Sequence, residues 1–200
     1  MQPLAKETGT RERLLEAGAR AIAAKSFNAC GLAEILALAG VPKGSFYHYF
    51  ESKEEFGVAL IERECAEYVE ILRPVLGDPS RTPLQRLRRV FELGRDECAA
   101  RGPERQCLIP KLALETSQLS EPVHGAVKRA YERWCELLAD VIREAQRAGE
   151  IPAHHDAARL ANLLVMLWEG ATIRTQIDRN LRPIDDFLGF AFDSLLRSKT

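Results

Sequence analysis

The sequence predicts an all-α protein, and three observations carry that prediction. Apolar residues recur three and four apart along nearly the whole chain, the spacing that lines one face of a helix. No run alternates apolar and polar residues with the period of two that a half-buried strand needs. Glycines and prolines cluster between the periodic segments, where helices stop and the chain turns. At 200 residues, with 46% hydrophobic and 28% charged side chains, the chain is long enough for one or two cores and too apolar to be disordered.

The first helix is predicted from about Thr10 to Lys25, where Leu15, Ala19 and Ile22 form a stripe and Gly18 is the one weak position. In the second, Leu32, Ile35, Leu36 and Ala39 fall at i, i+3, i+4 and i+7, and Gly40 ends it by taking the positive φ that stops a helix. Pro42 suits the first turn of the third helix, where its missing N–H costs nothing. Ser52 and Glu55 form a capping box, with Ser52 accepting from a first-turn N–H and Glu55 reaching back to the cap N–H. A long helix is therefore expected from Lys53 to Arg73, closed by Pro74, with a turn at Gly77, Asp78, Pro79 and Ser80. Leu84, Leu87, Val90, Phe91 and Leu93 begin the next, which runs through Cys98 to a break at Gly102 and Pro103. Further helices are expected over Cys107 to Leu119, Glu121 or Pro122 to Gly149, His155 to Asn180, and Pro183 to about Lys199.

The stretch Gly40 to Phe50, GVPKGSFYHYF, carries the first functional signal. With a helix on either side of its turn, it reads as the second half of a helix-turn-helix. Phe46 and Phe50 sit one turn apart and can pack inward, leaving Lys43, Gly44, Ser45, Tyr47, His48 and Tyr49 around the rest of the surface. Those side chains hydrogen-bond phosphates or base edges, so the expected partner is double-stranded DNA. Tyr47, Tyr49 and Lys53 are expected at phosphates, and Lys43, Ser45 and His48 nearest base edges.

These residues resemble the TetR family of bacterial one-component regulators, whose N-terminal domain ends in a KG-x-x-Y run followed by a Ser-Lys-Glu-Glu helix start. The match extends from Gly31 and Leu32 through Glu51, Ser52, Lys53, Glu54, Glu55, Phe56 and Gly57. It implies a three-helix DNA-binding domain over residues 1–53 and a helical effector-sensing, ligand-binding and dimerisation domain over residues 54–200. In two places the chain departs from the family pattern: Cys30 and Gly31 stand where hydroxyl residues often cap the second helix, and Pro42 stands where a serine often caps the third.

Net charge is only −1. The first 53 residues carry seven Lys or Arg against five Asp or Glu, so DNA binding is expected from placed groups more than from a broad basic field. Met1 to Glu7 has no apolar signal core, and no apolar stretch approaches the roughly 20 residues that cross a bilayer, which points to a cytoplasmic protein with no membrane association. Five cysteines, Cys30, Cys65, Cys98, Cys107 and Cys135, lie at wide spacings with no C-x-x-C pair. That argues against a secreted disulfide framework and a structural zinc site, and no cofactor or metal is expected.

The last two helices are apolar on more than one face, with Leu160, Leu163, Leu164, Met166, Leu167 and Trp168 in one and Phe187, Leu188, Phe190, Phe192, Leu195 and Leu196 in the other. A helix wet on one side needs a single stripe, so the excess predicts burial against a second copy. The family resemblance implies the same homodimer, built as a four-helix bundle. Charges at Leu188 or Phe192 are expected to disrupt it.

Gln106 to Leu119, QCLIPKLALETSQL, and Leu167 to Ile177, LWEGATIRTQI, resemble the electrophile-sensing, NemR-like branch of the family. In that branch the cysteine followed by leucine at the start of this helix is the sensor, which here is Cys107. A helix N-terminus together with nearby Arg105 and Lys111 favours thiolate, the nucleophilic form, while a buried cysteine acting as a small hydrophobe is the competing reading. Members of the branch can carry a lysine where this chain has Gln176, and an amide lacks the amine that would bond to an oxidised cysteine. The resemblance therefore implies a repressor released from a palindromic operator by an electrophile or oxidant at Cys107. A repressor relieved by a reversible hydrophobic ligand is the alternative, with Trp134, Trp168 and Gln176 as pocket candidates. A thiol enzyme is not expected, because no histidine lies in the helix around Cys107. His154 and His155 beside Asp156 read as a weak metal candidate, since neighbours on a helix point apart, and Asp156 reads as a helix N-terminal residue. His124 is expected at the surface.

Overall fold

A computed structural model describes residues 9–102, 108–116 and 120–196. Cys107, Pro103, the end of the predicted helix at Leu119 and the chain end at Lys199 lie outside the described residues. Among those described, all regular structure is helical: α1 (Thr10–Ala24), α2 (Leu32–Ala39), α3 (Lys43–Tyr49), α4 (Lys53–Leu76), α5 (Pro83–Arg101), α6 (Leu108–Thr116), α7 (Glu121–Arg147), α8 (Ala157–Asp178) and α9 (Arg182–Phe190). A π-helical turn, Ala191–Leu195, follows α9. The chain divides into two compact units, Met1–Ala66 with Gln106–Ala130, and Glu67–Arg105 with Tyr131–Thr200. The first unit thus takes in α6 and parts of α4 and α7 beside the three helices expected over residues 1–53.

Within the first unit, Leu14, Leu15, Ala17, Ala21 and Ile22 of α1 and Ile35, Leu36 and Ala39 of α2 are buried. They meet an aromatic cluster in which Phe46 lies 5.4 Å from both Phe50 and Phe56, and Phe50 lies 5.0 Å from Phe56. Gly40 does what its position predicted: with φ 63° and ψ 39° it closes α2 in the left-handed conformation. Arg13 of α1 then caps the end of α2, donating from Nη2 to the carbonyls of Ala39 at 2.7 Å and Gly40 at 2.9 Å. A guanidinium meets the negative end of the helix dipole there, satisfying carbonyls that have no partner within the helix.

The second unit is built around Phe91, whose ring lies 5.2 Å from Phe187, 5.5 Å from Trp168 and 5.9 Å from Phe192. Leu87, Leu138, Ile142, Ala161, Leu164 and Ile184 complete that core. Ion pairs fasten the rim: Arg95 to Asp185 at 2.5 Å and Arg88 to Asp193 at 3.0 Å tie α5 to α9 and to the turn after it.

Several sequence expectations shift. Pro74 does not close α4, which continues to Leu76. Its ring removes one N–H near the end of the helix, where only a single bond is lost and Gly77 still donates to the Arg73 carbonyl at 3.0 Å. Pro42 is the cap residue of α3, one position before the first turn. Glu55 accepts from the N–H of Glu51 at 2.5 Å, one residue before the expected cap N–H, while Ser52 accepts from Glu55 N at 3.0 Å as anticipated. His155 precedes α8, whose N-cap is Asp156, accepting from Arg159 N at 2.7 Å. Because His154 and His155 stand before the helix, their rings do not diverge and lie 4.0 Å apart, tilted by 43°. Among the described residues no helix is long and apolar enough to cross a membrane.

Candidate nucleic-acid interface

The surface of α3 follows from which of its residues are pulled inward. Phe46 and Phe50 are buried, and that fixes the rotation of the helix. Lys43, Gly44, Tyr47, His48 and Tyr49 are exposed as a result, with Ser45 half-buried. Tyr47 is 57% exposed, a large ring left in solvent beside an apolar core. It meets Phe46 edge-on at 5.5 Å, and His48 meets Tyr49 edge-on at 4.8 Å, so the exposed rings are braced by their neighbours. A β-carbon on Gly44 would meet nothing within 4 Å, leaving bare backbone at the start of the helix for close approach by another chain. Neither Gly31 nor Pro42 supplies a side-chain cap to α2 or α3, in keeping with the hydroxyls missing from Cys30, Gly31 and Pro42. Lys53 stands half-buried at the first position of α4, its ammonium 4.8 Å from the centroid of the Phe27 ring. One helical surface therefore presents an ammonium, an imidazole, one serine hydroxyl and two phenols, with a further ammonium on α4.

The first unit also holds a connection that sequence reasoning missed. Lys111 of α6 donates to the Ala23 carbonyl at 3.1 Å, and Glu115 of α6 accepts the Phe27 backbone N–H at 2.6 Å. Asn28 donates to the Glu115 carbonyl at 3.3 Å. The helical spacing of Lys111 and Glu115, four apart, was readable, but their partners, some 88 residues away, were not.

In the second unit the pocket candidates separate. Trp134 meets Tyr68 edge-on at 5.8 Å, and its Nε1 is buried with no hydrogen-bond partner among the described residues. Trp168 packs instead on Phe91 and Phe187, over Gly94, where a β-carbon would stand 2.6 Å from the indole. Gln176 is half-buried on α8. Beside Trp134, the Tyr131 hydroxyl donates to Glu169, and burial raises the carboxyl of Glu169 above the usual glutamate range against the lowering effect of that bond. Burial, then the charge of Glu169, raises the Cys135 thiol. Burial also raises Cys98, with Glu97 adding to it, and Cys30, with Glu34 adding to it. His124 is exposed.

The faces of the last helices divide cleanly. Leu160, Leu164, Phe187, Leu188, Phe192 and Leu196 are buried within their own unit, whereas Leu163, Met166, Leu167, Ile173, Ile177, Phe190 and Leu195 are exposed. Leu188 and Phe192, at 6% and 2% exposure, are core residues, so a charge there would unfold the chain before it tested any association.

A short helix with a polar, aromatic outer face, held by a turn against two supporting helices, defines a helix-turn-helix DNA-binding protein with a separate helical C-terminal region. The profile of bacterial regulatory proteins of the tetR family matches residues 14–60, and the tetracyclin repressor-like C-terminal domain matches residues 83–190. The chain belongs to the TetR family and is a DNA-binding transcriptional regulator. It is 36% identical to the transcriptional regulator AcuR of Cereibacter sphaeroides, over 88% of this chain and 80% of that one. It is 34% identical to the HTH-type transcriptional repressor DhaR of Mycobacterium sp. (strain GP1), over 96% and 94%. The crystal structure of Escherichia coli NemR in its reduced form superposes with a TM-score of 0.85, with 30% identity over 96% of this chain and all of that one.

Proposed function

We propose that this chain is a cytoplasmic repressor that holds a palindromic operator as a homodimer and releases it when Cys107 is modified by an electrophile or oxidant. Lys43, Ser45 and His48 face base edges, while Tyr47, Tyr49 and Lys53 bind phosphates, with Gly44 admitting the backbone closely. The exposed apolar side chains of α8 and α9 meet their copies, setting the two reading helices about one DNA turn, or a multiple of it, apart.

The observation that carries the sensing role is where α6 begins. Its first residue, Leu108, follows Cys107 directly, and the same helix bonds through Lys111 and Glu115 to the end of α1 and the α1–α2 connection. A bulky or polar adduct at the start of α6 would disturb a helix that is tied to the DNA-binding helices. Two of the relatives, DhaR and NemR, are named repressors, and a crystal structure of reduced NemR superposes on this chain. A Cys107→Ser variant should bind operator DNA normally and ignore maleimides, quinones and reactive aldehydes in a mobility-shift titration. Release at the wild-type dose would move the trigger elsewhere.

A reversible ligand is the second reading, and the buried, unpartnered Nε1 of Trp134 favours it, since a ligand oxygen could accept that N–H. Trp168 and Gln176 of α8 are its other candidate contacts. In that case the Cys107→Ser variant would still release DNA to an unreactive analogue.

A further inference from the structure

Phe27 connects α6 to a residue of the DNA-binding surface. Its backbone N–H is held by the Glu115 carboxylate at 2.6 Å, a charge-assisted bond to a turn amide that has no helical partner. The side chain of Phe27 is buried, and Gly57 of α4 makes room for it: a β-carbon there would stand 2.9 Å from Cε2 of the ring. The same ring carries the Lys53 ammonium, 4.8 Å from its centroid. A cation at the first position of a helix opposes the helix dipole, and Lys53 is followed by the acids Glu54 and Glu55. The Phe27 ring gives that ammonium a fixed position at the helix N-terminus, where an anion is favoured.

We propose that Glu115 is a positioning residue for DNA binding: by anchoring the Phe27 amide it holds the ring in place, and the ring holds Lys53 where it meets a backbone phosphate. This rests on the proposed role of Lys53 as a phosphate contact. Lys111, bonded to the Ala23 carbonyl, secures the other end of the same connection. When α6 moves, Glu115 takes Phe27 with it, and the phosphate contact is lost without any change in α3.

The test is a double-mutant cycle on the full-length chain, using the duplex that the wild type enriches from a randomised library. Dissociation constants are measured across a range of salt, with circular dichroism to verify folding. Lys53→Met should remove one phosphate contact from each protomer, so that the disadvantage of the dimer relative to wild type narrows about 12-fold for a fourfold rise in salt. Glu115→Leu should reproduce that narrowing, and the double variant should lose no more than Lys53→Met alone. Glu115→Gln keeps an oxygen for the Phe27 N–H and should retain the wild-type salt slope. Independent losses that multiply in the double variant, or a Glu115→Leu loss with an unchanged slope, would overturn the proposal. Should Glu115→Leu not fold, Phe27→Leu keeps the apolar plug and removes the ring, and an unchanged slope there overturns it equally. A wild-type slope for Lys53→Met itself would instead reject Lys53 as a phosphate contact.

Discussion

Gly18 of α1 lies so close to the Phe56 ring of α4 that a β-carbon on it would stand 2.3 Å from Cζ. The ring has nowhere to go, because it is fully buried between Phe46 and Phe50. Gly18→Ala should therefore destabilise the protein by about 1–3 kcal/mol through overpacking, outweighing the gain of up to about 1 kcal/mol that alanine brings to a helix interior. Chemical denaturation of the variant should show a lower midpoint, whereas a raised midpoint would mean that α1 and α4 separate easily.

The same contact shows what the sequence could and could not reveal. Gly18 reads as a helix weakness, because propensity is local, and the reason for a glycine there is a ring 38 positions later. Gly40, by contrast, acts through its own backbone, and its role was legible from its place between two apolar stripes. The α3 surface was legible for the same reason, since burial of Phe46 and Phe50 fixes every other residue of so short a helix. Glu115, Phe27 and Glu169 were not, because each owes its environment to a distant element. At the start of α5, the Thr82 and Gln85 capping box follows from local sequence in the same way as Gly40.

Arg13 supplies a second stability prediction. Its guanidinium makes three bonds to the last carbonyls of α2, and Arg13→Met keeps the aliphatic stem while removing all of them. The expected cost is about 1–2 kcal/mol, a lost cap at a helix C-terminus with partial replacement by water. Because these carbonyls flank Gly40, the turn into α3 should loosen too. Operator affinity should fall at temperatures where the protein is still folded, which a binding titration well below the melting midpoint would reveal.

The division of faces on α8 and α9 separates two substitutions that look alike. Phe190 is 56% exposed and Ile177 66% exposed, so Phe190→Glu and Ile177→Glu should leave a folded, helical chain that sediments as a monomer and binds operator weakly. Phe192, packed against Phe91, should not tolerate the same change, and Phe192→Ala alone should cost about 3–5 kcal/mol. A Phe190→Glu variant that remains dimeric at micromolar concentration would place the interface elsewhere.

Glu169 gives a dependence on pH whose sign follows from burial. Its carboxyl is raised in the folded state, so the folded chain holds the proton more tightly than the unfolded one. Below the ordinary glutamate range the group is protonated in both states and costs nothing. As pH rises from there through the raised value, the folded state loses stability relative to its acid form, and the loss is complete above it. Glu169→Gln keeps an oxygen for the Tyr131 hydroxyl and never ionises. The variant's stability relative to wild type should improve as pH rises through that window and then level off above the raised value, in parallel urea titrations. An advantage confined to acid pH would show that the carboxylate is stabilised where it sits.

Thiol reactivity should separate Cys107 from the cysteines the fold encloses. Burial raises the thiols of Cys30, Cys98 and Cys135, each with a carboxylate adding to the effect, so little thiolate is available at neutral pH. Cys107 immediately precedes α6 and lies near Arg105 and Lys111 in sequence, both of which favour the reactive form. With less than one equivalent of N-ethylmaleimide at pH 7, peptide mapping should find the label on Cys107 first. In the Cys107→Ser variant Cys30, Cys98 and Cys135 should label slowly, at a rate that climbs as pH rises, because burial raises these three thiols. Equal labelling of Cys98 or Cys135 at neutral pH would remove the basis for a single sensing cysteine.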